Sequence, residues 1–213
     1  MANKAIHKSI GRYEKSHRRW LPQRQWRRLV QTAAIAAGVV AVAAVIILAF
    51  RAAGGRDDMP APENLVASQA PDFTLPTLEG KEVTLSDFKG EKNVLLFFNE
   101  GYGCAPCWQQ AAALQEDLDA FTALDTEVFL IMVDPPDLLA QEAARWDLTL
   151  PILVDGEKDA AKAYDALGGM HADKPNHTFV LVDKDGVVRW SRDYPSMQAD
   201  NESVIEQVRN LAK

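Results

Sequence analysis

The apolar positions of this chain follow two different patterns, one in the N-terminal quarter and one in the remainder. Residues 33–50 carry no charged side chain, and the apolar stretch extends back to residue 29, interrupted only by Gln31 and Thr32. About 20 apolar residues in a helix span the hydrocarbon core of a bilayer. A backbone in lipid must also satisfy its hydrogen bonds within the segment. The pattern therefore predicts one transmembrane helix over residues 29–50.

Basic side chains orient this predicted helix. Residues 1–28 contain nine Lys or Arg side chains and one acidic side chain. Because Lys and Arg accumulate on the cytoplasmic side of membrane helices, we expect residues 1–28 to form a cytoplasmic tail. The chain after residue 50 is then extracytoplasmic, and the protein is expected in the cell membrane as a single-pass protein.

Other interpretations of the N-terminal part fit the sequence less well. A cleavable signal peptide has a shorter apolar core of about 7–15 residues. A twin-arginine signal would use Arg18 and Arg19, but Arg27 and Arg28 separate that pair from the apolar segment. The adjoining span also makes membrane topology a simpler account than a nucleic-acid-binding tail, so we expect no nucleic-acid partner. Residues 56–213 hold 29 acidic and 13 basic side chains, which favours solubility or basic partner surfaces.

The second pattern begins after a linker. Residues 51–69 contain paired glycines and two prolines without an apolar period, which is typical of a linker. From residue 70 apolar segments alternate between strand and helix periods. Predicted strands cover residues 73–75, 83–85, 94–98, 128–133, 152–154, 178–182 and 187–192, and predicted helices cover residues 107–123, 138–146, 159–167 and 203–212. This order predicts an α/β sandwich with a mixed sheet over residues 70–213.

The two cysteines of the chain, Cys104 and Cys107, lie at the junction of a buried strand and a helix. A thiol at a helix N-terminus faces unsatisfied N–H groups and the positive end of the helix dipole, which favour the thiolate. In a C-x-x-C pair the first cysteine is the exposed nucleophile and the second resolves the mixed disulfide. The spacing therefore indicates a redox-active dithiol with Cys104 as the attacking residue.

Two less reactive interpretations of the cysteine pair remain open. A structural disulfide between such near neighbours closes too small a loop to gain much stability. A zinc site needs four ligands, and only His171 and His177, at unusual spacing, could complete one. We therefore expect no bound metal. We also expect no organic cofactor, because no Gly-rich phosphate-binding loop is found.

Segments on both sides of the cysteine pair resemble a known family. Residues 70–75 (APDFTL), Gly80 and residues 83–90 (VTLSDFKG) resemble the opening of the redoxin group, and residues 178–186 (TFVLVDKDG) resemble its late strand and hairpin. The group contains the alkyl hydroperoxide reductase/thiol-specific antioxidant (AhpC/TSA) proteins and the membrane-anchored thiol–disulfide oxidoreductases of cytochrome c maturation. The resemblance covers residue 70 to the C-terminus and implies a thioredoxin-like three-layer sandwich with a mixed sheet.

Departures from the family patterns separate two activities. A peroxiredoxin site usually reads P-x-x-x-[ST]-x-x-C, but Phe97 and Gly101 occupy the Pro and Ser/Thr positions here. Asn176 and His177 lie where the peroxidatic arginine is expected. Thiol–disulfide exchange is therefore the favoured activity, with thiol peroxidase as the alternative. The segment between Phe98 and the first cysteine also lacks the aromatic-Ala-x-Trp sequence usual in the simplest oxidoreductases.

Four residues near the cysteines are candidates for shaping the site. Glu100 could relay a proton to the second cysteine, although a solvated loop acid is the favoured interpretation. Tyr102 could shape the groove for a partner chain. Pro106 is tolerated in the first helical turn, where its missing N–H would be unpaired in any case. Trp108 is expected to pack beside the dithiol.

Two later residues are candidates by their position before the late strand. A cis-proline normally precedes that strand in relatives, and Pro175 is the nearest candidate, one residue early, with an ordinary trans turn proline as the alternative. His177 could tune the thiolate or donate to a substrate, and a surface-loop histidine is equally compatible. A third possible function is that of a copper metallochaperone with the thioredoxin fold, in which His177 would bind copper together with the two cysteines. The cysteines of such proteins are normally three residues apart.

The expected reaction follows from the dithiol. The Cys104 thiolate attacks a disulfide, and Cys107 then closes the intramolecular disulfide and releases the product. The substrates are protein thiols and disulfides, or peroxide in the alternative activity. A domain tethered outside the cytoplasm is separated from cytoplasmic reductants, so a membrane-bound electron donor is expected to restore the dithiol.

Overall fold

The computed structural model describes residues 59–60, 65–168 and 171–211. No helix within these residues is long and apolar enough to cross a membrane. The predicted cytoplasmic tail over residues 1–28 and the predicted transmembrane helix over residues 29–50 lie outside them.

Eight strands occur in the described residues, and six of them form the main sheet. They are β1 (Met59–Pro60), β2 (Thr74–Pro76), β3 (Glu82–Thr84), β4 (Asn93–Phe98), β5 (Thr126–Met132), β6 (Ile152–Val154), β7 (Thr178–Val182) and β8 (Val188–Asp193). The main sheet has the order β1-β8-β7-β4-β5-β6, and β2 and β3 form a separate antiparallel hairpin. β4 pairs in parallel with β5 and antiparallel with β7, so the sheet is mixed, as the sequence predicts.

The helices are α1 (Ala105–Glu116), α2 (Leu118–Thr122), α3 (Pro136–Arg145), α4 (Asp159–Ala163) and α5 (Asn201–Leu211), and a 3₁₀ turn covers Leu85–Phe88. The sequence predicts one helix over residues 107–123, but the structure divides it at Asp117, which caps α1 with φ −95° and ψ 10°. The Asp117 carboxylate accepts a hydrogen bond from Asn201 Nδ2 at 2.8 Å, which ties this break to the start of α5.

Two apolar cores, one on each face of the sheet, give the fold three layers. β4 is buried over its whole length, as expected for a central strand covered on both faces. Its side chains alternate, so that Leu95 and Phe97 lie in the core that includes residues of α1, α3 and α5. Leu96 and Phe98 lie in the core that includes residues of α4. The predicted α/β sandwich is therefore confirmed for the described residues.

Residues ahead of position 70 also take part in this fold. β1 pairs antiparallel with β8. Leu65 is buried in the second core, and the backbone bridge between Gln69 and Val187 extends the contact with the β8 side of the sheet. At the opposite edge, Thr77 at the end of the β2 segment forms a backbone bridge to Leu153 of β6. Both outer strands of the sheet are thus short or partly covered.

Candidate active site

The candidate site lies at the carboxyl end of β4, where the chain turns into α1. We name residues 99–103 between these elements the approach loop. The side-chain oxygen of Asn99 accepts a hydrogen bond from Gly101 N at 3.1 Å, and Asn99 Nδ2 donates to Phe97 O at 3.3 Å. Because Asn99 is fully buried, these bonds fix the direction in which the chain leaves the strand. Polar groups at the carboxyl end of parallel strands are a common setting for active sites in α/β folds.

The cysteine pair begins α1. Cys104 is the N-cap residue, and its sulfur accepts a hydrogen bond from Cys107 N at 3.2 Å. A disulfide joins the two residues, whose Cα atoms are 5.3 Å apart. Cys104 is 6% exposed and Cys107 is fully buried, so Cys104 is the less enclosed of the two, in agreement with its predicted role as the attacking residue. Pro106 falls within the first turn of α1, as predicted.

Trp108 connects α1 with the approach loop. Its ring is buried, and Nε1 donates a hydrogen bond to Gly101 O at 3.0 Å. The same carbonyl accepts a hydrogen bond from Cys104 N at 3.1 Å. Trp108 therefore packs beside the dithiol and supports the turn that presents Cys104.

Glu100 is buried, which corrects the favoured prediction of a solvated loop acid. The residue is 8% exposed, and its carboxylate lies 2.9 Å from Nδ1 of His171. His171 belongs to the segment that returns towards β7, and this contact brings that segment over the approach loop. No local sequence pattern could predict this pairing, because 71 positions separate the two residues.

Two further charged residues in the site were missed by the sequence analysis. Lys174 Nζ donates to Glu100 O and Tyr102 O, each at 3.1 Å, and lies 3.0 Å from Asp134 Oδ1. Asp134 Oδ2 accepts a hydrogen bond from Tyr102 N at 2.9 Å. Asp134 follows β5, which is the parallel neighbour of β4. The carboxyl ends of these two strands meet at the same end of the sheet, so the sequence could have placed Asp134 in the site. Lys174 carried no such signal.

His177 is enclosed rather than exposed, which rules out the surface-loop interpretation. Its ring lies 4.5 Å from the Phe97 ring and 6.5 Å from the Tyr194 ring, centroid to centroid. Neither ring nitrogen has a hydrogen-bond partner among the described residues. Burial of the imidazole lowers the pKa of His177 to about 4, because the charged form is poorly solvated there. His177 is therefore neutral at physiological pH.

The remaining candidates take different positions. Pro175 is buried just ahead of β7 and its peptide bond is trans, so of the two alternatives left open by the sequence the trans turn proline is the one found. Tyr102 is 45% exposed and is one of the few large hydrophobic side chains that are exposed among the described residues. Within the described residues, no cluster of three or more His, Cys, Asp or Glu side chains could hold a metal ion.

Together these features define a class of protein. A dithiol at the N-terminus of a helix, following the central strand of a mixed sheet with helices on both faces, is the arrangement of thioredoxin-like oxidoreductases. The sequence matches the AhpC/TSA family over residues 66–191, more than half of the chain, and the chain belongs to that family.

Individual relatives agree with this membership. Thiol–disulfide oxidoreductase ResA of Geobacillus thermodenitrificans is 34% identical over 125 residues, which cover 58% of this chain and 67% of that protein. Putative peroxiredoxin Rv2521 of Mycobacterium tuberculosis is 30% identical over 125 residues, covering 56% of this chain and 79% of that protein. The reduced 2-Cys peroxiredoxin of Plasmodium vivax shares the fold, with a TM-score of 0.63 and 24% identity over 70% of this chain and 96% of that chain. The protein is an oxidoreductase of this family.

Proposed function

We propose that the protein is a membrane-anchored, extracytoplasmic thiol–disulfide oxidoreductase. The observation that carries the proposal is the Cys104–Cys107 disulfide at the start of α1, in which Cys104 keeps a small exposed fraction and Cys107 is fully buried. A pair in this arrangement cycles between dithiol and disulfide without a cofactor. The relatives named ResA support exchange with disulfides.

The approach loop supports disulfide exchange over peroxide reduction. A peroxidase needs hydrogen-bond donors for the departing peroxide oxygen. Here Gly101 N donates to Asn99, Tyr102 N donates to Asp134, and Cys104 N donates to a carbonyl of its own turn. These three backbone donors are therefore already used within the protein, which leaves fewer donors for a departing peroxide oxygen.

The reaction transfers two electrons from the dithiol to a substrate disulfide. The Cys104 thiolate attacks one substrate sulfur, and the first substrate thiolate leaves with a proton from the medium. The Cys107 thiolate then attacks Cys104 Sγ, which forms the intramolecular disulfide and releases the second substrate thiol. A membrane-bound donor of two electrons and two protons restores the dithiol.

The decisive experiment compares two oxidants. The full-length chain is reduced, separated from reductant and mixed with hydrogen peroxide or a protein disulfide in a stopped-flow instrument. Tryptophan fluorescence is the signal, and Trp108 is the expected reporter among the five tryptophans. Disulfide exchange predicts fast oxidation by the disulfide and a peroxide rate no higher than that of a free thiol. The relatives named peroxiredoxins favour thiol peroxidase as the alternative function. A rate of oxidation by peroxide that is orders of magnitude above that of a free thiol would identify a peroxidase. Cys104→Ser is the inactive control for both reactions.

The membrane location requires its own test. The apolar segment over residues 29–50 and the basic residues before it support an uncleaved anchor with the redox domain outside. We expect the full-length chain to resist carbonate extraction from membranes and the domain to be digested by protease added to spheroplasts. Recovery of the chain in the carbonate supernatant would contradict the anchor, and protection from protease would contradict the orientation.

A further inference from the structure

The contacts of Lys174 converge on the approach loop. Its ammonium group meets two backbone carbonyls of the loop, from Glu100 and Tyr102, and both oxygens of the Asp134 carboxylate at 3.0–3.1 Å. An ammonium group has three hydrogens to donate, so this set of acceptors satisfies it completely. The interaction joins three segments: the approach loop, the residue following β5, and the segment before β7.

Asp134 holds the same loop from the other side. Its Oδ2 atom accepts hydrogen bonds from both Tyr102 N and Lys174 Nζ. A Cβ atom at Gly101 would lie 2.5 Å from this oxygen, and Gly101 itself has φ +74°. The carboxylate therefore lies so close to the backbone that a side chain at position 101 would clash with it.

The two charges are mostly withdrawn from solvent, since the side chains of Lys174 and Asp134 are 24% and 13% exposed. Hydrogen bonds between charged groups are stronger than neutral ones when they are shielded in this way. Two of their contacts reach Tyr102, two residues before Cys104. The ammonium and the carboxylate are thus held together beside the loop that leads to the nucleophile, and their opposite charges offset each other.

Other titratable side chains also lie near the loop. The Glu100 carboxylate contacts His171, and His177 is buried and uncharged behind Phe97. Lys174 and Asp134 form an ion pair at the approach loop, and its two members can be replaced one at a time.

We propose that Lys174 and Asp134 are a positioning pair: together they hold the approach loop that presents Cys104, and their opposite charges are matched so that neither acts alone on the thiolate. This inference rests on the proposed dithiol chemistry and assigns a role to two residues outside the cysteine motif.

The proposal makes a directional prediction. Lys174→Met leaves an unpaired carboxylate near the sulfur, which disfavours the thiolate and raises the pKa of the Cys104 thiol. Asp134→Asn keeps an oxygen that can accept from Tyr102 N but leaves an unpaired ammonium, which lowers that pKa. An unpaired unit charge near a partly buried thiol is expected to shift its pKa by about 0.5 to 1 unit. The double variant is expected to return close to the wild-type value.

The experiment measures the pH profile of Cys104 alkylation by iodoacetamide in the reduced full-length chain, purified in mild detergent, with the modified residue identified by mass spectrometry. Lys158→Met is the matched control, because Lys158 pairs with Asp173 of the same segment at 3.7 Å but makes no described contact with the approach loop. The control is expected to leave the profile unchanged.

Opposite shifts in the two single variants, with cancellation in the double variant, would support the proposal. Shifts in the same direction, or shifts no larger than that of Lys158→Met, would overturn it. If Lys174→Met does not fold, the near-isosteric Asp134→Asn still decides, because a raised or unchanged pKa in that variant is incompatible with the proposal. Failure of disulfide exchange in the wild-type chain would instead refute the proposed function, which these alkylation profiles do not measure.

Discussion

His177 gives this domain a specific sensitivity to acid. The imidazole is enclosed by Phe97, Phe179 and Tyr194, and burial lowers the pKa of His177 from 6.5 to about 4. In the unfolded chain the same side chain is in water and binds a proton near pH 6.5. Between these two values the unfolded state binds more protons than the folded state, so the free energy of unfolding falls as the pH is lowered.

The magnitude follows from the two pKa values. A difference of about 2.5 pH units corresponds to about 3 kcal/mol of stability lost between pH 7 and pH 4, of which about 2 kcal/mol is lost by pH 5. His177→Leu replaces the imidazole by an apolar side chain of similar volume and removes two unpaired nitrogens. We expect its stability at pH 7 to lie within about 1 kcal/mol of wild type, because exchanging a buried unpaired polar group for an apolar one is close to neutral.

Urea unfolding followed by fluorescence at pH 5.0, 6.0 and 7.0 tests this reasoning. The wild-type midpoint is expected to fall with pH more steeply than that of His177→Leu, and the variant is expected to be the more stable protein at pH 5. The comparison cancels the shared carboxyl groups, including Asp193, whose raised pKa acts in the opposite direction. Parallel pH profiles for the two proteins would refute the assignment of a neutral, buried imidazole.

Three further substitutions test the site. Gly101→Ala places a Cβ atom 2.5 Å from a carboxylate oxygen of Asp134 at a residue with φ +74°, and we expect it to lower stability by about 2 kcal/mol or more in thermal unfolding. Gly80→Ala, with φ +80° and open space around it, is the matched control and is expected to cost about 1 kcal/mol; equal losses would contradict the close contact. Trp108→Phe removes the hydrogen bond to the Gly101 carbonyl and is expected to cost about 1 kcal/mol in urea unfolding, whereas an unchanged midpoint would show that the bond contributes little. Cys107→Ser removes the resolving thiol and should accumulate a mixed disulfide with a protein disulfide substrate, visible on non-reducing gels; rapid release of that adduct would refute the assigned order of attack.

The sequence predicts the central strands well because β4, β6 and β7 are buried over their whole length and read as apolar runs. β6 and β7 have the predicted bounds, and β4 begins one residue earlier than predicted. The helical prediction fails at Asp117, where the local pattern continues but a contact with Asn201 supports the break. That contact joins residues 84 positions apart, so no local period could reveal it.

The site was predictable where its signal was local. Cys104 and Cys107 were found from their spacing and from their place between strand and helix. The environment of Glu100 depends on His171, and that of the approach loop depends on Lys174, so both required the tertiary structure. The burial of His177 is equally a property of the packed aromatic rings and of no sequence motif.

The short, occupied edges of the main sheet affect how a second polypeptide can meet this domain. An open edge strand exposes a row of free N–H and C=O groups, onto which another chain can add as an extra strand. Here β6 has three residues and its segment is bridged by Thr77, while β8 is paired with β1. Strand addition at either side would have to compete with backbone pairing that already exists. A second polypeptide is thereby left with the loops at the carboxyl ends of the strands as the more accessible contact, and edge-to-edge aggregation of the domains is disfavoured.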